Sequence, residues 1–437
     1  MDPWLIGLFS VVFLVILVVL RVHLGLSLYF TGFLGYLLLV GDLGIAVNIL
    51  ATQPYATTAN FTLSVLPLFL IMGVFAGHAG FARDAYDAAE KWLAGVRGGL
   101  AMGTVVANAL FAAASGSSAA ACAVFTKFSL PVMTSKGYQP KFACSVIVVA
   151  GTLAMMIPPS VLMIIYGMLT YESIGTLFIA GIGPGVLLAV MYILSIAVMI
   201  KLKPGLVSKM TTSYSLRNKL LATRKVWGVL FLAILVLGGI YSGVFTPTEA
   251  GAVGAFGAFI LAIFLRRLTP QTIMSTLRDA AAVNAMIFFI FSGAILYGRF
   301  LSLSGLPILL GNTIEAANVP PMVVLGMILL IYLFLGCIID SISMMTVTLP
   351  IAFPISQAMG WDPIWFGILV ILAAECGLLT PPLGINVFVT KAAAGPVVTL
   401  EELYRAVVPF FFVMLLGLIL LVIFPQISMW LPGIMIK

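Results

Sequence analysis

The sequence predicts an all-α polytopic membrane protein built from two related halves, each holding a re-entrant hairpin and a broken transmembrane helix. Composition is the first observation. Of 437 residues, 62% are hydrophobic and 8% charged, whereas a soluble domain carries roughly 25% charged residues. Apolar stretches recur from end to end, and each span of the bilayer needs ~20 residues. No polar segment is long enough for a soluble domain. The second observation is a repeat. Ser115-Gly116-Ser117-Ser118 is followed by Pro131 and then Ile157-Pro158-Pro159-Ser160. Asp340-Ser341-Ile342-Ser343 is followed by Pro354 and then Thr380-Pro381-Pro382-Leu383. One offset of 223 residues maps Ser117 onto Asp340, Ser118 onto Ser341 and Pro158-Pro159 onto Pro381-Pro382. It also maps Gly137 onto Gly360, Tyr138 onto Trp361 and Pro140 onto Pro363. Helices broken at matching places in two halves of a membrane protein point to a binding site there.

Apolar runs predict spans at 4–20, 25–40, 62–80, 143–170, 176–200, 226–243, 250–265, 284–298, 363–390 and 406–430. The segments 100–134 and 320–356 are apolar but interrupted by small and polar residues, and are expected to enter and leave on one side. Met1-Asp2-Pro3-Trp4 lacks a basic n-region, and the run 4–20 ends at Arg21, so it reads as a first span rather than a cleaved signal.

Charge placement is the third observation. Arg21, His23, Arg83, Lys91, Arg97, Lys136 and Lys141 lie in the first half. Lys201, Lys203, Lys209, Arg217, Lys219, Arg224 and Lys225 fill the centre, and Arg266 and Arg267 follow the seventh span. The positive-inside rule places all of these in the cytoplasm if the N-terminus is outside. Arg299 and Lys437 then fall outside. Five crossings per half invert the second repeat. The expected division is a first repeat over 1–202, a basic cytoplasmic linker over 203–225 held by anionic lipid, and a second repeat over 226–437. Segments 82–97 and 268–281 are expected as interfacial amphipathic helices in similar places of the two halves.

Several function classes lack their residues. The net charge of +7 belongs to orienting loops rather than to nucleic-acid binding. Cys122, Cys144, Cys337 and Cys376 have no metal-ligand or CxxC spacing, and His23 and His78 are the only histidines. Neither a GxxxxGK[ST] phosphate loop nor HExxH occurs. An intramembrane enzyme would need a nucleophile or metal constellation that the sequence lacks. Two opposed hairpins argue against an open channel.

The polar residues at depth carry the chemistry. Each Pro-Pro pair removes two backbone donors and leaves preceding carbonyls without partners. Irregular backbone at membrane depth survives only inside protein or around a cavity. Freed carbonyls suit Na⁺, a hard cation that prefers oxygen. Serine hydroxyls at 115–118 can ligate a cation or bond a carboxylate, and helix N-termini at the tip favour anions. Small-residue packing is the plain alternative for that run. Asp340 follows an apolar run, and a carboxylate inside a membrane is functional by default. Cation coordination, a proton relay and helix capping are its three readings. Glu375 is a second carboxylate at depth, beside Gly377-Leu378-Leu379-Thr380-Pro381-Pro382, and its role stays open between tuning a cation site, pairing and packing. Thr380, Gly384 and Asn386 surround the second break, as Gly151 and Thr152 precede the first. Thr246, Thr248 and Glu249 read as a turn and helix start.

These motifs resemble the large membrane subunit of TRAP transporters (tripartite ATP-independent periplasmic transporters), the DctM-like family. The most specific stretches are Ser-Gly-Ser-Ser-Ala-Ala at 115–120, Gly-Thr-Leu with Ile-Pro-Pro-Ser over 151–160, Gly-Gly-Ile-Tyr-Ser-Gly-Val-Phe-Thr-Pro-Thr-Glu-Ala at 238–250 and Gly-Leu-Leu-Thr-Pro-Pro-Leu-Gly-Ile-Asn at 377–386. The resemblance implies an elevator-type sodium symporter, with no enzymatic activity and no organic cofactor, in a bacterial inner membrane. It implies a separate small four-helix membrane subunit (Q) and a periplasmic substrate-binding protein (P). The cargo would be a small organic acid: a dicarboxylate, another carboxylate or a sialic acid. Carried over by position, Na⁺ ligands are expected from Ser115, Ser117, Ser118, Gly151, Ile157 and Pro158, and from Asp340, Ser341, Gly377, Thr380 and Pro381. Substrate contacts are expected from Gly116, Ser117, Thr152, Ser160, Ser343, Gly384 and Asn386. The run Ser341-Ile342-Ser343-Met344-Met345 departs from the small residues that the family often has after this aspartate. The nearest alternative is a binding-protein-independent sodium/organic-anion carrier.

Overall fold

The computed structural model describes residues 2–208 and 214–435; Lys209 and Lys437 lie outside them. The first half runs α1 (Pro3–Val19), α2 (Leu24–Val40), α3 (Leu43–Thr58), α4 (Val65–His78), α5 (Phe81–Leu93), α6 (Gly99–Ser115), α7 (Ser118–Ser135), α8 (Pro140–Met156), α9 (Val161–Thr170) and α10 (Ile174–Leu202). A junction helix, α11 (Leu216–Lys225), follows. Then come α12 (Trp227–Ala233), a π turn at Ile234–Gly238, α13 (Gly239–Tyr241), α14 (Pro247–Phe264), α15 (Pro270–Ser304) and α16 (Leu306–Ala316). The chain ends with α17 (Pro321–Gly336), α18 (Ser341–Ala358), α19 (Pro363–Gly377), α20 (Ile385–Ala394), α21 (Leu400–Ile423) and α22 (Gln426–Met435). Among the described residues every regular element is helical, and the one β bridge joins Tyr138 to Val207.

The 223-residue offset read from the motifs runs through this whole order. It carries α7 onto 341–358, the bounds of α18, and α2 onto 247–263, within a residue of α14. It carries α8 and α9 onto α19 and α20, and α10 onto α21. Both expected broken helices and both two-armed tips are present. Packing is reciprocal between halves. α2 packs on α15 while its counterpart α14 packs on α4. α7 packs on α20 while its counterpart α18 packs on α9.

Three expectations change. The segment 268–281 is no separate interfacial helix: it opens α15, a continuous helix of 35 residues that includes the expected span 284–298. Its counterpart by the offset is α3, and the counterpart of α5 is α16; neither α3 nor α16 was expected as a helix. The reason is local. Between α3 and α4 stands Asn60, whose side chain accepts from Thr62 N at 3.0 Å and restarts the chain. The offset puts Val283 there in the second half, with no cap or breaker, so the helix continues. The expected span 406–430 divides between α21 and α22, because Pro425 has no N–H to donate. Within the expected linker, 216–225 form a helix capped by Ser215, which accepts from Asn218 N at 3.4 Å. Trp92 Nε1 donates to Thr223 Oγ1 at 2.8 Å and ties that helix to α5.

By length and composition, six helices among the described residues can cross a membrane, or seven if Leu216–Lys225 and Trp227–Tyr241 make one bent span. The expected turn at 246–249 is a capping box: Thr246 N donates to Glu249 Oε2 at 2.8 Å and Glu249 N to Thr246 Oγ1 at 3.3 Å. Burial separates core from rim. The most apolar window of 140–170 is 94% buried, against 28% for that of α10, so the broken helices form the centre. There α17 and α19 touch backbone to backbone: a Cβ on Gly377 would lie 2.5 Å from Gly336 Cα.

Arg267 fastens the halves on the side expected to be cytoplasmic. It donates to Asp84 Oδ2 at 2.7 Å, to Asp84 Oδ1 at 3.3 Å and to the Ala79 carbonyl.

Two tests follow from this packing. Gly377→Val should lower stability by about 1–3 kcal/mol, whereas Gly326→Ala on α17, with nothing within 4 Å, should be neutral or mildly stabilising. Thermal unfolding in detergent distinguishes them. Arg267→Ala should destabilise by about 2 kcal/mol, because Asp84 is left buried without its cation. Arg405→Ala, which breaks the exposed Arg405–Glu401 pair, should cost under about 1 kcal/mol.

Candidate functional site

The first tip lies between α6 and α7. Gly116 ends α6 in the left-handed region, with φ 60°, and a Cβ there would meet the Pro159 carbonyl oxygen at 2.8 Å. Glycine is thus required both by conformation and by contact. Ser117 caps α7, accepting from Ala120 N at 3.4 Å. Ser115 is buried and its hydroxyl has no partner. The first break seals onto this tip, as Val161 N donates to Gly116 O at 3.3 Å. Gly151 lets α7 approach α8, since a Cβ there would lie 2.4 Å from Cys122 Sγ and 3.2 Å from Ser118 O.

The second tip, between α17 and α18, repeats the plan with different atoms. Asp340 caps α18, accepting from Ser343 N at 3.0 Å, as its counterpart Ser117 caps α7. Leu383 N donates to Cys337 O at 3.0 Å, so this break also seals onto its tip. Thr380 Oγ1 donates to Gly377 O at 2.7 Å and lies 2.7 Å from Cys337 Sγ.

Glu375 stands where the tips meet. It is fully buried, and one oxygen, Oε1, accepts from Ser341 Oγ at 3.2 Å and from Ser118 Oγ at 3.5 Å, the long limit of a hydrogen bond. The two serines correspond by the offset and come from opposite halves. Glu375 Oε2 has no partner, nor do either polar atom of Asn386 or Thr390 Oγ1. Unpaired buried polar groups each cost about 1–3 kcal/mol, so their concentration here marks a place built to receive something.

The expected site residues divide. Ser115, Gly116, Ser117, Ser118, Gly151, Ile157 and Pro158 gather at the first tip and break. Asp340, Ser341, Ser343, Gly377, Thr380, Pro381 and Gly384 gather at the second. Thr152 is occupied elsewhere: its hydroxyl donates to Val149 O at 2.7 Å and lies 3.0 Å from Tyr192 OH. Ser160 is fully buried and caps α9. The Gly377 carbonyl already accepts from Thr380 N at 3.0 Å and from Thr380 Oγ1, leaving Gly377 chiefly a packing position. Sequence reasoning left Glu375 without a role and missed Thr390. The available signals were the shared offset of Ser118 and Ser341, and the i, i+4 spacing of Asn386 and Thr390 within an apolar helix.

The residues fit a small hard cation. Pro158 and Pro159 cannot donate to the carbonyls of Ala154 and Met155, and Pro382 cannot donate to that of Leu378. The orphaned Ser115 hydroxyl belongs to the tip onto which the first of these breaks seals. Carbonyls at unwound helix ends are the groups with which such sites hold Na⁺.

Comparison with known proteins agrees with this architecture. The family described as "Tripartite ATP-independent periplasmic transporter, DctM component" matches residues 11–427. The C4-dicarboxylate TRAP transporter large permease protein DctM of Pseudomonas aeruginosa is 36% identical, over 93% of this chain and 94% of that protein. The sialic acid TRAP transporter large permease protein SiaM of Vibrio cholerae is 30% identical, over 93% of this chain and 94% of its own. The crystal structure of the YdaH transporter of Alcanivorax borkumensis, described as having an unusual topology, superposes with a TM-score of 0.63 at 14% identity, covering 89% of each chain. That likeness is one of fold alone. A match of this extent, on a multi-pass helical chain with paired tips and breaks, makes the protein a member of the DctM component family of TRAP transporters.

Proposed function

We propose that this chain is the large membrane subunit of a sodium-driven TRAP symporter that imports a small organic acid by an elevator mechanism. The observation that carries the reading is the meeting of two tips and two broken helices around one buried carboxylate. Cation sites are assigned to Ser115, Ser117 and Ser118 with the 151–159 backbone, and to Asp340 and Ser341 with the 377–384 backbone. The cargo anion would lie against Gly116, Ser117, Ser343, Gly384 and Asn386. There the N-terminal ends of α7 and α18 favour negative charge. Relatives named for C4-dicarboxylate, sialic acid, isethionate and ectoine transport support a small polar cargo.

In this reading α6–α9 and α17–α20 move as one body against the remaining helices. The tip serines and freed carbonyls bind Na⁺ as co-substrate, and the loaded body then crosses. Na⁺ shifts the equilibrium only through its preference for one state, so the gradient sets the direction of net uptake. The family name is tripartite, which supports work with a small membrane subunit and a periplasmic binding protein. The N-terminus is assigned to the periplasm from the placement of arginine and lysine, in a bacterial inner membrane.

Uptake of radiolabelled organic acids by proteoliposomes tests the whole reading. Uptake should require both an inward Na⁺ gradient and the cognate binding protein. Uptake with Na⁺ alone would leave a conventional carrier, and uptake without Na⁺ would end the reading. Asp340 has its own test. Asp340→Ala should abolish Na⁺-coupled uptake, and Asp340→Ser, which keeps a capping side chain like that of Ser117, should do the same. The melting temperature of the serine variant should stay near that of the parent, since serine and aspartate caps are comparable. Normal uptake by Asp340→Ser would reduce Asp340 to a cap.

A further inference from the structure

We propose that Glu375 is a positioning residue shared by both cation sites: it orients the serine of each tip and serves as their common counter-charge. The inference rests on the sodium reading above and goes beyond it, because that reading leaves the carboxylate between the two tips without a role.

Symmetry supplies the first argument. Ser118 and Ser341 are the first helical residues after the two tips, related by the 223-residue offset. Both approach the same oxygen, at 3.5 and 3.2 Å. The counterpart of Glu375 in the first half is Thr152, which is turned to Val149 O and Tyr192. A single carboxylate therefore stands at the junction of a two-fold plan and serves both sides.

Hydroxyl chemistry supplies the second. A serine has one O–H donor and two lone pairs. When the proton is donated to Glu375, both lone pairs remain for a cation. A hydrogen bond to a carboxylate is charge-assisted and polarises the serine oxygen, which strengthens it as a ligand. Carboxylates that orient ligands in this way are worth about 10–100-fold in metal affinity.

Charge supplies the third. The ion pairs among the described residues, Lys136–Glu90, Arg267–Asp84 and Arg405–Glu401, all lie elsewhere. The Lys391 ammonium, on α20, is bonded to Gly395 O at 2.5 Å. Glu375 Oε2 has no partner. A buried ionised carboxylate needs a compensating charge, and cations at the two tips would supply it. Filling either site would then weaken the attraction at the other, because both draw on one counter-charge.

The test is Na⁺-dependent thermal stabilisation of the detergent-solubilised full-length protein, titrated against choline at constant ionic strength. Wild type should be stabilised specifically by Na⁺. Glu375→Gln should raise the half-saturating Na⁺ about tenfold. In the Ser118→Ala/Ser341→Ala background the same change should add much less, because the carboxylate acts through those hydroxyls. A Glu375→Gln variant that melts lower without Na⁺ but keeps the wild-type half-saturation would make Glu375 a structural tether and overturn the proposal. If Glu375→Gln does not fold, Glu375→Asp decides. A several-fold rise supports positioning, since the carboxylate is drawn back by one methylene, and an unchanged half-saturation overturns it. A wild type with no Na⁺-specific response overturns the sodium reading itself, which separates that failure from this one.

Discussion

The constraint on which the rest of this structure depends is the interruption of helical backbone deep inside an apolar protein. Hydrocarbon offers no partner to a free amide or carbonyl, so each break must be covered by protein or face a water-filled cavity. The chain meets this twice with one device. The backbone N–H just past each Pro-Pro pair donates to a carbonyl at the facing tip, Val161 to Gly116 and Leu383 to Cys337. Close approach makes those bonds possible, and small residues make the approach possible. Gly116 at Pro159, Gly151 at Cys122, and Gly336 against Gly377 all stand where a Cβ would collide. The glycine and serine content of the tips is thus a consequence of the breaks.

The halves share a plan but not an environment. Pro158, Pro159 and Ser160 are buried, whereas Pro381, Pro382 and Leu383 are exposed on the chain. Tyr404 reaches across the second break, donating to Leu383 O at 2.9 Å. A carrier that opens to one side at a time must occupy states in which its two halves differ, because identical environments would expose the site to both sides or to neither. In the proposed carrier the unequal burial of the breaks would be one such difference, and reciprocal packing, α7 on α20 and α9 on α18, ties each tip to the break of the other half.

Much of this was legible in the sequence because the signals are covalent or strongly patterned. Proline pairs fix the breaks, an offset of 223 residues fixes the correspondence, and apolar runs fix the spans. The failures came where only one half carries a punctuating residue. Asn60 ends one helix and starts another, while the equivalent Val283 lets α15 run on, so 268–281 took the look of an independent amphipathic helix. Applied to every element rather than to the motifs alone, the offset pairs 268–281 with α3 and 81–93 with α16. At the site, chain distance hid what folding brings together: Ser118 and Glu375 are 257 residues apart.

The role of a buried carboxylate is harder to read from sequence than its existence, and Asp340 and Glu375 show why. Asp340 sits at a helix start, where any short polar side chain caps, and its cap is matched by Ser117 in the other half. The cap alone therefore does not explain why a carboxylate stands there in one half and a hydroxyl in the other. Glu375 lies inside a helix, where capping cannot account for it. Its neighbours Ala373, Ala374, Cys376 and Gly377 are all buried, so nothing local compensates its desolvation. Polar side chains from other elements do so: the serines of the two tips, on one oxygen, and Asn386 beside it. A carboxyl group kept at such cost, between the elements that interrupt helical backbone in the core, is explained by what binds at those interruptions rather than by the stability of the fold.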